Sequence, residues 1–185
     1  MRVPRFLLVL LLPLLLAACA HAGGPATYLV EQTGPYRLDS GDVVRVTVYG
    51  DANLTNTYRV DDSGAIALPL VGAIPARGLT AEVVGSRITA ALANGFMRNP
   101  NVAVEVAEYR PFFIQGAVAS PGALPYVYGM TARAAISAAG GFTEVANRDS
   151  AVIYRRQGSD MVRGSVGLDF PILPGDTIVI SERWL

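Results

Sequence analysis

The alternation of apolar and polar residues predicts β-strands in the first half of the chain. Residues 43–49 and 102–106 each place valine at every second position. Side chains two positions apart lie on the same face of a sheet, so each segment is predicted to be a half-buried strand. Residues 57–60 and 65–68 flank the turn-forming sequence Asp-Asp-Ser-Gly at positions 61–64, which predicts a hairpin.

A calcium-binding loop is the alternative interpretation of residues 61–64. With Asp61 counted as the first ligand, the twelfth position is Gly72, where such a loop needs a bidentate glutamate. The sequence therefore favours a turn, in which Gly64 takes a backbone conformation that other residues resist.

One helix is predicted in each half of the chain. Thr80 is a candidate N-cap for a segment that is apolar at helical spacing between positions 84 and 92, and Gly95 is a candidate stop. In the second half, Thr131 precedes the small residues 132–139, and two glycines follow them. That segment is predicted to be a short helix that packs closely on a sheet.

The remainder of the second half is predicted to be rich in β-structure. Pro111 pushes Arg110 into extended geometry, so this pair is predicted to be a hinge between two modules. Residues 120–122, Ser-Pro-Gly, are predicted to form a tight turn between two strands. The predicted strands are residues 112–118, 124–128, 151–155, 161–163 and 177–180.

The pattern as a whole predicts an α+β, β-rich fold in two modules. Residues 34–109 are expected to form the first module, and residues 110–185 the second, which closes with the strand at residues 177–180. A folded length of about 150 residues is enough for one or two small cores.

An export signal is predicted at the amino terminus. Two arginines precede an apolar segment, residues 6–16, which is shorter than the ~20 residues that a spanning helix needs. Two alanines and Cys19, the sole cysteine, follow it. This arrangement is typical of a bacterial lipoprotein signal, in which peptide 1–18 is removed and the Cys19 thiol receives a lipid. A general secretory signal with an incidental cysteine is the alternative.

Lipid attachment at Cys19 would hold the mature chain to a membrane through residues 19–33. These residues are small, polar or rich in proline and glycine, so they are predicted to form a flexible tether. In bacterial lipoproteins an aspartate after the cysteine favours retention in the inner membrane. By this resemblance, Ala20 predicts the outer membrane.

The charged residues exclude several classes of function. The chain has 15 arginines, 15 acidic residues and no lysine, whereas a Walker-type phosphate loop needs a lysine. Removal of residues 1–18 takes away two arginines and leaves 13 basic and 15 acidic residues, a net charge of −2. Nucleic-acid binding is therefore not expected. The lone histidine, His21, lies in the tether, so no catalytic triad, metal site or cofactor is expected.

Short motifs in the first module resemble those of the outer-membrane polysaccharide export (OPX, Wza-like) lipoproteins. They lie at residues 36–42, 60–64, 68–72 and 78–80, and their order and spacing carry the resemblance. The glycine, proline and aspartate positions of these motifs are Gly41, Asp42, Asp61, Gly64, Pro69 and Gly72.

The second module resembles the soluble-ligand-binding β-grasp (SLBB) domain. The matching segments are residues 114–118, 121–122, 138–141 and 174–180. Their motif residues are Gly116, Pro121, Gly122, Gly140, Gly141, Gly175 and Asp176. The glycines and the Gly-Asp pairs are expected to serve folding, because glycine permits a turn and aspartate accepts hydrogen bonds from nearby main-chain groups; direct contact with sugar is the alternative.

The resemblance implies a transport component without catalytic activity. Lipid-anchored subunits would assemble into a periplasmic ring that guides exopolysaccharide or capsular polysaccharide outward. The implied partners are further copies of the chain, an inner-membrane polysaccharide copolymerase, the polysaccharide itself and an outer-membrane β-barrel. Long family members end in a pore-lining helix, whereas residues 181–185 are too few for one, so the chain resembles the short class and the conduit is expected elsewhere.

Two other functions remain as alternatives. One is a monomeric periplasmic lipoprotein that binds a glycan. The other is a glycan hydrolase that uses Glu105 and Glu108, although their spacing places them on opposite faces if the strand continues through both residues. Trp184 is a candidate for an interface or for terminal packing. Seven tyrosines are expected to be half-buried packing, with sugar stacking as the alternative, namely Tyr36, Tyr49, Tyr58, Tyr109, Tyr126, Tyr128 and Tyr154.

Overall fold

The computed structural model of the chain describes residues 34–183. The predicted signal peptide, lipidation at Cys19, the tether and the role of Trp184 therefore lie outside the described residues. Between residues 34 and 183 the chain forms ten strands and two helices. The strands are β1 Val43–Val48, β2 Asn56–Arg59, β3 Ala65–Leu68, β4 Gly72–Pro75, β5 Val102–Glu108, β6 Phe112–Gly116, β7 Gly122–Leu124, β8 Ser150–Gln157, β9 Asp160–Gly167 and β10 Thr177–Ile180; the helices are α1 Ala81–Ala93 and α2 Ala132–Ala138.

The first core forms between α1 and an antiparallel sheet in the order β2-β1-β5. The three alternating valines of β1 are at most 2% exposed, as the period of two predicts. Helix α1 buries Val84, Ile88 and Leu92 on one face, and its predicted cap is confirmed because the Thr80 hydroxyl accepts a hydrogen bond from the Val83 amide at 3.3 Å.

The predicted hairpin of β2 with β3 is wrong, although the turn between them forms. β2 pairs with β1, and β3 pairs with β4, a strand that was not predicted. The amide of Val60 donates to the carbonyl of Asp42 at 2.8 Å, which holds the end of β2 on β1. The amide of Ala76 donates to the carbonyl of Gly64 at 2.8 Å, which holds β3 beside β4. The turn therefore passes the chain from one sheet to another.

The second core lies between α2 and a mixed sheet in the order β7-β6-β10-β8-β9. β10 occupies the centre, parallel to β6 and antiparallel to β8. The predicted N-cap is confirmed, since the Thr131 hydroxyl accepts from the Ala134 amide at 3.3 Å. The α+β, β-rich fold class is confirmed, and neither helix within residues 34–183 has the length and apolarity to cross a membrane.

The predicted tight turn at residues 120–122 is wrong. Gly122 is the first residue of β7, and residues 117–121 form a longer connection. The amides of Ala119 and Ser120 donate to the carbonyls of Gly141 and Ala139, at 3.0 and 2.8 Å. The chain therefore passes along the end of α2 before it returns to β6, and the return strand is shorter and earlier than predicted.

The acidic turn before β3 generates a prediction about pH. Hydrogen bonds from the Ser63 hydroxyl and the Ala65 amide, at 2.6 and 2.9 Å, lower the pKa of Asp61 below its ordinary value of 3.8. The carboxylate therefore stabilises the fold above pH 3.8, and this contribution is lost as the pH falls through the lowered pKa. Asp61→Ala should lower the urea midpoint at pH 6, and its deficit should shrink on acidification; a deficit that grows below pH 4 contradicts the assignment.

Candidate functional site

The central strand of each core starts from the same kind of turn. In residues 39–42 and 173–176 the third residue is a glycine with φ of 95° and 83°, and the fourth is an aspartate. The carboxylates of Asp42 and Asp176 accept hydrogen bonds from the amide three residues earlier, at 2.9 and 2.8 Å. Both carboxylates are buried, so each needs further donors.

Arg110 joins the first of these turns to the second. Its main-chain amide donates to the Asp42 carboxylate at 2.9 Å, and its guanidinium donates at 3.1 Å. A Cβ placed on Gly175 would lie 2.9 Å from the Arg110 Nε, and the Gly175 amide donates to the Pro111 carbonyl at 2.9 Å. The segment predicted as a hinge is therefore held by hydrogen bonds on both sides.

Arg155 supplies the donors for the second buried carboxylate. Its Nε and Nη2 donate to Asp176 at 2.9 and 2.7 Å, and both side chains are at most 3% exposed. The guanidinium also donates to the Pro171 carbonyl at 3.1 Å and lies over the Phe170 ring. Sequence reasoning missed this residue, although Arg155 continues the inward positions 151 and 153 of β8, and that phase was the available signal.

Four tyrosines form a ladder at the junction of the two cores. The Tyr36 hydroxyl donates to Asp42 at 2.6 Å and accepts from Arg110 at 2.8 Å. Burial and the hydrogen bond to Asp42 raise the pKa of Tyr36 far above its ordinary value. The Tyr109 ring packs edge-on against Tyr36 and Tyr126, with centroids 4.9 and 5.4 Å away, and lies 6.4 Å from Tyr128.

The other tyrosines lie away from this ladder. Tyr58 and Tyr154 are half-buried, and Tyr49 is exposed. Within the ladder, Tyr126 is buried whereas Tyr128 is exposed. The expected half-buried packing therefore describes part of the set.

A cleft of about 700 Å³ opens beside the two turns and is lined from both halves of the chain. Five arginines and two aspartates supply its charged groups, namely Arg37, Arg77, Arg110, Arg155, Arg156, Asp39 and Asp176. Arg77 donates to Asp39 at 3.1 Å, to the Asp62 carbonyl at 2.7 Å and to the Ser40 hydroxyl. The cleft is the candidate functional site because it is concave, carries charge of mostly one sign and is built by both modules.

The predicted separation of the two glutamates on β5 is wrong. A shift in the pairing of β1 with β5 skips Ala107, so that Val43 pairs with Glu108 while Arg45 pairs with Glu105. Val43 and Arg45 are two positions apart, and both glutamates therefore lie on the same face. That face is exposed and lies outside the cleft, and Glu105 forms an ion pair with Arg45 at 3.7 Å.

The structure gathers part of the predicted motif set at the junction. Gly41, Asp42 and Gly175 meet around Arg110, and Asp176, which follows Gly175, binds Arg155. The others are dispersed as follows: Asp61 and Gly64 in the turn before β3, Pro69 between β3 and β4, Gly72 at the start of β4, Gly116 at the end of β6, Pro121 directly before β7, Gly122 at the start of β7, and Gly140 and Gly141 after α2. No group of three or more metal-ligating side chains is found in residues 34–183.

Two family models match the chain in series. The polysaccharide biosynthesis/export protein model matches residues 30–107, and the SLBB domain model matches residues 111–164. The chain belongs to the outer-membrane polysaccharide export (OPX) family, with one export domain followed by one SLBB domain. The domain limits at residues 34–109 and 110–185 stay predictions.

Three curated relatives have names that describe polysaccharide export, transport or production. The chain is 33% identical over 145 residues to the exopolysaccharide production protein ExoF of Rhizobium meliloti, covering 72% of this chain and 34% of ExoF. It is 28% identical over 164 residues to the EPS I polysaccharide export outer membrane protein EpsA of Ralstonia solanacearum, covering 72% and 42%. It is 25% identical over 160 residues to the polysialic acid transport protein KpsD of Escherichia coli, covering 80% and 28%.

These alignments span less than half the length of each relative. The relatives are named as production, export and transport proteins, which fits a protein that is not an enzyme. The family model that matches residues 30–107 is that of polysaccharide biosynthesis/export proteins.

The buried pair at the junction predicts a large effect of one substitution. Asp42→Asn removes the charge that accepts from Arg110 and Tyr36, and it should lower the free energy of unfolding by about 3 kcal/mol, as the loss of one partner from a buried pair does. Asp169→Asn is the matched control, since Asp169 accepts from Arg133 at 2.9 Å with both side chains exposed, and its effect should be small. Equal losses in urea unfolding would contradict the role of Asp42.

The close approach of Gly175 to Arg110 predicts a difference in stability between two glycine substitutions. Gly175→Ala and Gly158→Ala both place a side chain at positive φ, 83° and 62°. Only the Gly175 side chain would meet Arg110, whereas nothing lies within 4 Å of a Cβ at Gly158. Gly175→Ala should therefore lower the unfolding temperature more than Gly158→Ala, and an Arg110→Ala background should remove the excess. An excess that persists in that background would place the strain elsewhere.

Proposed function

We propose that this chain is an outer-membrane lipoprotein that faces the periplasm and takes part in the export of exopolysaccharide or capsular polysaccharide. The observation that supports it most directly is the succession of an export domain and an SLBB domain in one chain. Lipid attached to Cys19 is the proposed anchor, after removal of the signal peptide 1–18.

The proposed mode of action is mechanical and not catalytic. Subunits assemble side by side into a ring, and the ring guides the polymer outward. Such an assembly needs every subunit to hold its two modules at one angle. The hydrogen bonds of Arg110 to Asp42, together with the Gly175 amide on Pro111, support a fixed angle.

The proposed partners lie on either side of the ring. An inner-membrane polysaccharide copolymerase delivers the polymer from below, and an outer-membrane β-barrel provides the conduit above.

A second candidate function is that of a monomeric lipoprotein that binds a glycan. The cleft supports it, because a volume of about 700 Å³ falls within the range of small-ligand sites and arginine side chains line it. The two functions differ in the state of assembly and not in the chemistry of the cleft.

Deletion of the gene tests the proposed function. Surface polysaccharide should be lost while synthesis of its repeat units continues, because export and not assembly of the polymer is interrupted. The full chain should restore export, and native mass measurement should find discrete high-order assemblies of it. Unchanged surface polysaccharide in the deletion strain would overturn the export function, and a monomer in native mass measurement would favour the glycan-binding alternative.

A further inference from the structure

We infer that the cleft between the two modules binds a carboxylate-bearing glycan, and that Arg37 and Arg156 hold its carboxylates. The inference deepens the proposed function and rests on it for the class of polymer. It starts from a local excess of positive charge, since five arginines and two aspartates line the cleft while the whole chain has 15 residues of each sign.

Three of the five arginines are already neutralised. Arg155 pairs with Asp176 at 2.7 Å, Arg110 pairs with Asp42 at 3.1 Å, and Arg77 pairs with Asp39 at 3.1 Å. These pairs hold the walls of the cleft in place.

The remaining two arginines, Arg37 and Arg156, carry the excess of positive charge. Arg37 donates from Nη1 to the carbonyl of Gly78 at 2.8 Å, which fixes the side chain without neutralising it. Within residues 34–183, neither Arg37 nor Arg156 forms an ion pair. Both are exposed, and they come from different modules, so that the cleft brings two unneutralised guanidinium groups to one opening.

The charge and lining of the cleft fit a carboxylate carried on a sugar ring. A guanidinium group matches a planar carboxylate with two parallel hydrogen bonds. The lining includes the exposed Gly78, where nothing lies within 4 Å of a Cβ position, so a ring has room to lie against the backbone there. Of the two leucines at the cleft, Leu38 is buried in the first core and Leu173 is half-buried, so the cleft lacks the large apolar anchors that a bound peptide segment uses.

Calorimetry with the full lipidated chain in detergent tests the inference. The probe is trigalacturonate, and its fully methyl-esterified form is the matched ligand, in which each carboxylate is replaced by an uncharged methyl ester. Trigalacturonate should bind at least tenfold more tightly than the ester, and this preference should fall as salt is added. Arg37→Gln and Arg156→Gln should each weaken trigalacturonate binding about tenfold, the effect of one charge-assisted hydrogen bond, and leave ester binding unchanged.

Arg98→Gln is the control variant, because Arg98 is exposed and lies outside the cleft. All three variants should keep the circular dichroism spectrum of the parent chain, since each changes an exposed side chain. Equal binding of acid and ester, an equal loss in Arg98→Gln, or no binding of trigalacturonate would overturn the inference. Tighter binding of tetraglutamate than of trigalacturonate would also overturn it, in favour of an acidic protein partner.

The result of the binding test can be distinguished from the result of the deletion test of the proposed function. Loss of export in the deletion strain together with no preference for trigalacturonate removes the site and leaves the export function standing. Binding of trigalacturonate by the cleft together with unchanged export in the deletion strain removes the export function and leaves the binding site standing.

Discussion

The buried carboxylate of Asp42 is the interaction on which the arrangement of the two cores depends. It accepts from a turn amide beside the first core, from Tyr36, and from the main chain and side chain of Arg110, which lies in the connection between β5 and β6. A buried charge is costly unless every lone pair has a donor, so the carboxylate is stable only while these groups stay together. The connection between the modules thereby becomes part of the folded structure.

The same physical device serves the second core with a different arginine. Asp176 follows a left-handed glycine, caps its own turn and binds a guanidinium, as Asp42 does. Arg110 packs against the glycine of both turns, with Gly41 3.4 Å from its Cβ and Gly175 2.9 Å from its Nε when a Cβ is placed on each. The absence of a side chain at these two glycines is what lets the turns approach one arginine from both sides, and the cleft opens where they meet.

Local pattern predicted the elements well and their partners poorly. The valine alternation of β1 and the threonine caps of both helices are local signals, and the structure confirms them. The pairing of β2 with β1 and of β3 with β4 depends on hydrogen bonds between distant segments, which no short window contains. Residues 72–75 hold one large apolar side chain, Ile74, so β4 had little pattern to reveal it. Arg110 could not be predicted as a site residue, because its partners Asp42 and Gly175 are distant in the sequence.

The central position of β10 has a consequence for the time at which each half becomes stable. The first core is complete once residues up to 108 are present, because β5 is its last strand. β6 and β8, by contrast, have no neighbour on their inner edges until residues 177–180 arrive. Contacts that close such long loops form slowly. The two hairpins of the second sheet, β6-β7 and β8-β9, are therefore joined only when the last strand has been made.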